Sequence, residues 1–287
     1  MSESIAEKTH SDEMAKGERF AFGANWSNFL TVLNEDRIQQ AVDSLKNMLG
    51  VETLDGKRFL DIGSGSGLFS LAARRLGASV VSFDYDPQSV ACTNELRSRF
   101  FKGDEHWEIK TGSVLDAVFL SSLGSFDIVY SWGVLHHTGD MWTALRNAEL
   151  SVSSEGKIFI AIYNEQGFYS RYWSFVKRVY AKYSFMRPVF IFIHGIYPTL
   201  PRLLLRAAFR RKYNRGMSIW YDLLDWLGGY PFEVATPEQI FEFYRGLGYQ
   251  LIKLKTVGGK LGCNEFVFER INSVRDNSEP TTNREIN

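Results

Sequence analysis

The sequence predicts an α/β fold on a mostly parallel sheet, with a helical, basic insertion late in the chain. Three observations predict it. From about residue 58 to residue 163, short β-type runs alternate with helix-patterned stretches, a rhythm that implies βαβ crossovers. One strand-to-helix turn is packed with glycine, GSGSG at 63–67. After Tyr163 the rhythm breaks, and it resumes only at Pro237.

The elements follow in order. Residues 1–18 and 272–287 are polar and without apolar periodicity, so both are expected to be disordered tails around one domain at 19–271. Its first part, 19–50, is expected to be a helical cap. Ile38, Ala41, Val42, Leu45 and Leu49 recur at helical spacing there, and Gly50 suits the helix end. RFLDI (58–62) reads as a strand, GLFSLAARRL (67–76) as a helix and SVVSFD (79–84) as a strand. Pro87 then opens a helix to about Phe100. Strands are expected at Trp107–Thr111 and Phe126–Ser131, a helix at Met141–Leu150, a turn at SSEG (153–156) and a strand at KIFIAIY (157–163). A helix from Pro237 to about Leu247 leads to strands at Tyr249–Thr256 and Glu265–Glu269. The glycine-rich loop between those two strands suggests a hairpin.

Composition narrows the function classes. Thirty-three basic residues balance 33 acidic ones, which does not suit a protein that coats nucleic acid. Two distant cysteines, Cys92 and Cys263, exclude a disulfide framework and a four-thiolate zinc site, and reduced intracellular thiols are the simplest reading. The start lacks an apolar h-region, so no secretory signal is expected and a cytoplasmic location is. The most apolar run, Val189–Leu205, contains His194, two prolines and Arg202. It falls short of the roughly 20 apolar residues of a membrane span.

The chemistry is densest in FLDIGSGSGLFSLAARRLGA (59–78), a strand running through a glycine turn into a helix. Glycines permit a tight turn and let a ligand approach the backbone, while the helix start offers free N–H groups. Leu68 stands where a dinucleotide fingerprint needs its third glycine, and no Lys-Ser/Thr follows as a P-loop requires. What remains is an acid, Asp61, two residues before G-x-G-x-G, able to bind an ammonium group that neither NAD nor ATP possesses. Asp84 ends the next strand, 21 residues after Gly63, where a carboxylate can accept from both hydroxyls of a ribose. Tyr85 follows and could lie along an adenine ring.

With these residues the sequence resembles class I S-adenosylmethionine (SAM)-dependent methyltransferases. It is similar to the branch containing quinone-ring O-methyltransferases and many small-molecule methyltransferases. The resemblance covers about Leu54–Tyr163 and Pro237–Arg270. It implies a Rossmann-like, seven-stranded sheet with an antiparallel last strand and helices on both faces. It also implies that SAM is the cofactor. DIGSGSG, with Asp61, Gly63, Ser64, Gly65 and Gly67, would hold its methionine part, Asp84 its ribose, and Ser113 and Val114 its adenine. FDIVYSWGVLHH (126–137), with Ser131 and Trp132, would face the methyl group. No Asn-Pro-Pro-Tyr-type motif follows that fourth strand, which lowers the odds of amide or base-nitrogen methylation.

Methyl transfer from a sulfonium needs positioning, exclusion of water and, for a hydroxyl acceptor, a base. His136 and His137, after the fourth strand, are the candidate bases. His136 is the better candidate for acceptor-specific chemistry, although sequence alone does not separate the two, and both could simply bond the turn before Met141. Phe20, Phe22, Trp26 and Phe29 are candidates for a cover over the cofactor, or for plain packing of the first helix. No metal site is expected, because the five histidines are scattered and no Asp/Glu/His trio stands at ligand spacing.

The insertion, 164–233, is the least family-like part. Residues 166–216 hold eleven Lys or Arg, no Asp or Glu, and thirteen aromatics. It reads as a cap with aromatics inward and cations outward, as a surface for anionic membrane, or as a nucleic-acid groove. Trp220, Tyr221 and Asp222, at near-helical spacing, are candidate substrate contacts or one side of an amphipathic helix. The expected function is O-methylation of a small metabolite or a lipid-like or quinone-like compound. The alternatives are an RNA or protein methyltransferase and a non-catalytic SAM-binding protein. The accepting atom and the oligomeric state are not legible.

Overall fold

The computed structural model describes residues 11–14, 16, 23–196 and 226–271. A seven-stranded sheet organises them, in the order β3-β2-β1-β4-β5-β7-β6. The strands are β1 (Arg58–Ile62), β2 (Ser79–Asp84), β3 (Trp107–Thr111), β4 (Phe126–Trp132), β5 (Val152–Tyr163), β6 (Tyr249–Lys255) and β7 (Cys263–Arg270). Every pair from β3 to β5 is parallel, and β7 runs antiparallel to both neighbours, as the resemblance implied.

Helices cover both faces. On one face lie α1 (Gly23–Thr31), α2 (Glu35–Leu49), α3 (Leu68–Arg75) and α4 (Pro87–Phe100). They bury Phe59, Val80, Trp107, Tyr130, Phe159 and Val267 of the strands. On the other lie α5 (Ala117–Leu123), α6 (Met141–Leu150) and α9 (Pro237–Gly246) over Leu60, Ile62, Val129, Ile160 and Phe268. The alternation along each strand sends successive side chains to opposite cores. Between β5 and α9 come α7 (Phe168–Lys182) and the short α8 (Arg187–Ile191), with their own small core of Val176, Tyr180, Phe190 and Leu227.

Local chemistry sets the helix ends. Asn34 caps α2 by accepting from the Arg37 N–H at 3.1 Å, and left-handed Gly50 closes it. Asp86 caps α4, with Pro87 in its first turn. Thr236 and Gln239 form a reciprocal capping box on α9.

Several details differ from the sequence reading. α5 was not expected: its run AVFLSSL is too short to show a period, and its signal is Asp116, which accepts from two N–H groups of the first turn. The turn expected at 153–156 is extended chain within β5. Phe126 pairs with Val152 but Ile128 with Lys157, so β5 bulges there, and a Cβ at Gly156 would lie 2.9 Å from the Phe126 carbonyl oxygen. In the expected N-terminal tail, residues 11–14 form a helical turn, while most of 1–18 and all of 272–287 lie outside the described residues.

Candidate active site

The glycine turn sits at the carboxyl edge of the sheet, between β1 and α3. Gly65 has φ 54° and its missing Cβ would stand 3.0 Å from the indole of Trp26, so both backbone and neighbour exclude a side chain. At Gly63 a Cβ would lie 2.4 Å from Val134, which follows β4. The turn is fixed to β2 by the N–H groups of Gly63 and Ser64, both donating to the Phe83 carbonyl, and to α4 by a 3.0 Å hydroxyl pair, Ser64 with Thr93.

Beside this turn lies a cavity of about 340 Å³. It brings together Asp61, Gly63, Ser64, Gly65, Asp84, Tyr85, Ser113, Val114 and Trp132 from the sequence reading, with Trp26 and Phe29 of α1 and His137. Gly67 does not line it, because it is the residue that starts α3. Ser131 does not line it either. Its side chain alternates to the buried side and donates to the Ile62 carbonyl at 3.0 Å, tying β4 to β1. Trp220, Tyr221 and Asp222 lie outside the described residues, as do Phe20 and Phe22.

The two acids are held differently. Asp61 is 2% exposed, and one of its oxygens accepts the Ser70 hydroxyl. Burial, with a smaller push from Asp84, lifts its carboxyl to about 7. Asp84 accepts from the N–H groups of Gly65 and Asp86, each at 2.9 Å, and burial still lifts it to about 6. Two acids pushed towards neutrality around one cavity form a site that gains from a ligand with a cation and hydrogen-bond donors. Val114 is also fixed, since Asn147 of α6 donates to its carbonyl at 3.0 Å.

A single 3-10 turn, Leu135–His137, carries both histidines, and the structure places them in different surroundings. His136 is fully buried and absent from the cavity wall. Its Nδ1 accepts from the Tyr163 N–H at 3.4 Å, and its ring lies 4.1 Å from that of Tyr163. Burial, then the charges of His137 and Lys177, hold it well below the ordinary histidine range, so it is neutral. His137 faces the cavity. Its Nδ1 lies 2.5 Å from the Pro231 carbonyl oxygen, which has no proton to give. Nδ1 is therefore the donor, and in the neutral ring Nε2 carries the lone pair.

Among the cavity residues that sequence reasoning missed are Phe69, Tyr130 and Asp86. Asp86 caps α4 with one oxygen, and with the other it accepts from the Gly23 N–H at 2.7 Å, which anchors α1 over the cavity. The Asp-Pro pair at 86–87 signalled the cap but not the long-range anchor. Among the described residues no cluster of three His, Cys, Asp or Glu could hold a metal.

The described part of the insertion departs from a cap with aromatics inward. Phe168, Tyr169, Phe175, Phe185 and Phe192 are each more than half exposed. Lys177 is fully buried instead, donating to the Trp226 carbonyl with its ammonium 4.3 Å from the Trp226 ring and 4.9 Å from that of Phe232. No described helix is long and apolar enough to cross a membrane.

Comparison with known proteins gives a family and a fold. Residues 33–234 match the family model described as a methyltransferase domain. A ubiquinone biosynthesis O-methyltransferase of Xanthomonas oryzae pv. oryzae is 32% identical over 111 residues, 39% of this chain and 45% of that protein. The mitochondrial ubiquinone biosynthesis O-methyltransferase of Bos taurus is 29% identical over 112 residues, 39% of this chain and 30% of that protein. The match thus spans less than half the length of either relative. Among solved structures, magnesium protoporphyrin IX methyltransferase from Synechocystis PCC 6803 with bound SAH superposes with a TM-score of 0.50 at 13% identity, over 83% of this chain and 89% of that one. An O-methyltransferase family protein from Burkholderia thailandensis gives 0.51 at 14% identity, over 82% and 56%.

Proposed function

The chain belongs to the methyltransferase-domain family of class I SAM-dependent enzymes, and on that premise we propose that it methylates a hydroxyl oxygen of a small quinone-like or lipid-like acceptor. One observation carries the reading: the glycine turn, Asp61 and Asp84 converge on a single cavity whose wall also includes Trp132 and His137.

The residues present fit SAM. The glycine turn and both acids line the same cavity, and the two acids suit a ligand that brings a cation and hydroxyl donors. Asp61 would hold the ammonium, Asp84 the ribose hydroxyls, and Tyr85, Ser113 and Val114 the adenine. When bound, SAM supplies an electrophilic methyl group on a sulfonium. The protein's own part is positioning and proton removal. Trp26 and Phe29 cover the cavity and keep water out of it. His137, with its proton on Nδ1, takes the acceptor's proton at Nε2. The ubiquinone-biosynthesis relatives support oxygen as the accepting atom.

The deciding experiment combines calorimetric titration with SAM and mass spectrometry of a cell extract incubated with protein and SAM. Binding, and a hydroxyl-bearing metabolite heavier by one methylene, is the expected result. Methylation confined to RNA or protein, or failure to bind SAM, would overturn it.

A second reading concerns location. The exposed aromatics of α7 and of the segments on either side of α8 stand among Arg171, Arg178, Lys182 and Arg187, in a stretch without acids. That combination supports peripheral attachment of 166–216 to an anionic membrane surface, where a lipid-like acceptor would reside.

A further inference from the structure

Tyr130 stands in the middle of the sheet, on β4, with 2% of its surface exposed. Its hydroxyl is enclosed and has no hydrogen-bond partner among the described residues. Buried polar groups are nearly always paired, because burial strips their water without replacement, so an orphan calls for a reason. The ring cannot swing away to find a partner. It is stacked against Phe69 of α3 at 4.9 Å and Phe59 of β1 at 5.7 Å, with the edge of Phe159 at 5.1 Å. Tyr130 nevertheless lines the cavity, so the partner it lacks in the protein can come from a ligand.

The sheet register shows what stands beside it. Asp61 of β1 is the direct partner of Tyr130 across β1 and β4, so both side chains leave the sheet on the same face, about 4.8 Å apart at the backbone. One Asp61 oxygen is occupied by Ser70, whose hydroxyl also meets that of Ser82 at 2.6 Å, and Ser82 accepts from the Trp107 indole at 2.8 Å. This chain of bonds holds Asp61 from the β2 side, and Asp61 and Tyr130 both line the cavity. Burial, then the acids Asp61 and Glu265, keep the phenol well above its ordinary range. It is therefore a neutral donor that needs an acceptor.

We propose that the Tyr130 hydroxyl donates to the α-carboxylate of the cofactor's amino-acid end, next to the ammonium held by Asp61. The inference rests on the SAM reading above. An amino-acid head carries ammonium and carboxylate on one carbon, a separation that two neighbouring side chains of adjacent strands span. The ribose acid Asp84 lies on β2, on the other side of β1. The cofactor's two ends are thereby assigned to opposite sides of the glycine turn.

The test is Tyr130→Phe, which removes one oxygen and keeps the packing. Affinities are measured by calorimetry for S-adenosylhomocysteine, which has the carboxylate, and for decarboxylated SAM, which lacks it. The ligand-free melting temperature is measured alongside. Removing a hydrogen bond to a charged group should weaken S-adenosylhomocysteine roughly tenfold to a hundredfold. Decarboxylated SAM should bind both forms alike. The variant should melt at or above the wild-type temperature, because no protein bond is lost and an orphan is removed. Unchanged affinity for S-adenosylhomocysteine would overturn the assignment. Equal losses for both ligands would overturn the carboxylate as partner and point to the methyl-acceptor side of the cavity. A lower melting temperature would make the hydroxyl structural. If the unaltered protein bound neither ligand, the cofactor reading itself would fail first.

Discussion

Asp61 and Asp84 show how a residue's neighbourhood changes what its identity means. In sequence both are ordinary carboxylates; in the fold, burial raises them to about 7 and about 6. An acid raised by burial favours its protonated form in the folded state, so this pair makes the ligand-free protein less stable as pH climbs from about 4 towards 7. A ligand that needs the carboxylates has the opposite sign. Affinity for SAM should therefore rise from about pH 5.5 and level off above about pH 7. Titrations in buffers of different ionisation enthalpy should register the released protons. Asp84→Ala should weaken SAM roughly tenfold to a hundredfold, since the ribose hydroxyls would be buried against no acceptor. Gly65→Val should be worse, because it meets Trp26 and forces a branched residue to positive φ. The histidines separate in the same way. His137→Ala should lower turnover by about 10²–10⁴ with SAM affinity intact, as loss of a general base does. His136→Ala should chiefly lower the melting temperature, because it empties a fully buried site away from the cavity wall. Turnover is read on the acceptor found by the extract screen.

At the scale of elements, α1 is the piece whose role depends on one long-range bond. Its tip is held by the carboxylate that also caps α4, and Trp26 on its inner side rests over Gly65. Asp86→Ala should cost about 1 kcal/mol as a lost cap. It should also free α1, so hydrogen exchange across Gly23–Thr31 should quicken more than in α2 or α3. If exchange there were unchanged, the anchor would be incidental. The helices α2, α4, α6 and α9 were legible to within a residue or so because capping and periodicity are local signals. α5 and the bulge in β5 were not. Seven residues hold too little period to read, and a bulge is a relation between two strands that neither shows alone.

At the scale of the molecule, the strand order places β1 beside β4, so the winding of the chain reverses between them. Open α/β sheets bind ligands at such a switch point, beyond the carboxyl ends of the strands. The cavity lies there. The insertion leaves the sheet after β5 and presents Phe168, Phe175 and Phe185 outward. The intact protein should float with anionic vesicles and not with neutral ones, and added salt should weaken the attachment. Phe168→Ser with Phe175→Ser should abolish flotation while SAM affinity holds. Equal flotation by the double variant would sink the membrane reading.

The sequence by itself determined the strand–turn–helix at 58–75, the acids that flank its glycines, and the βαβ rhythm. Each of these is written in neighbouring residues by period, cap or backbone permissiveness. The tertiary structure decided which of two adjacent histidines reaches the cavity, that Ser131 ties strands together instead of facing a ligand, and that Asp86 anchors a helix 63 residues away. It also decided that Tyr130 keeps an unpaired hydroxyl on the cavity wall. Direction and burial depend on register and on what packs from elsewhere in the chain, and a linear string carries neither.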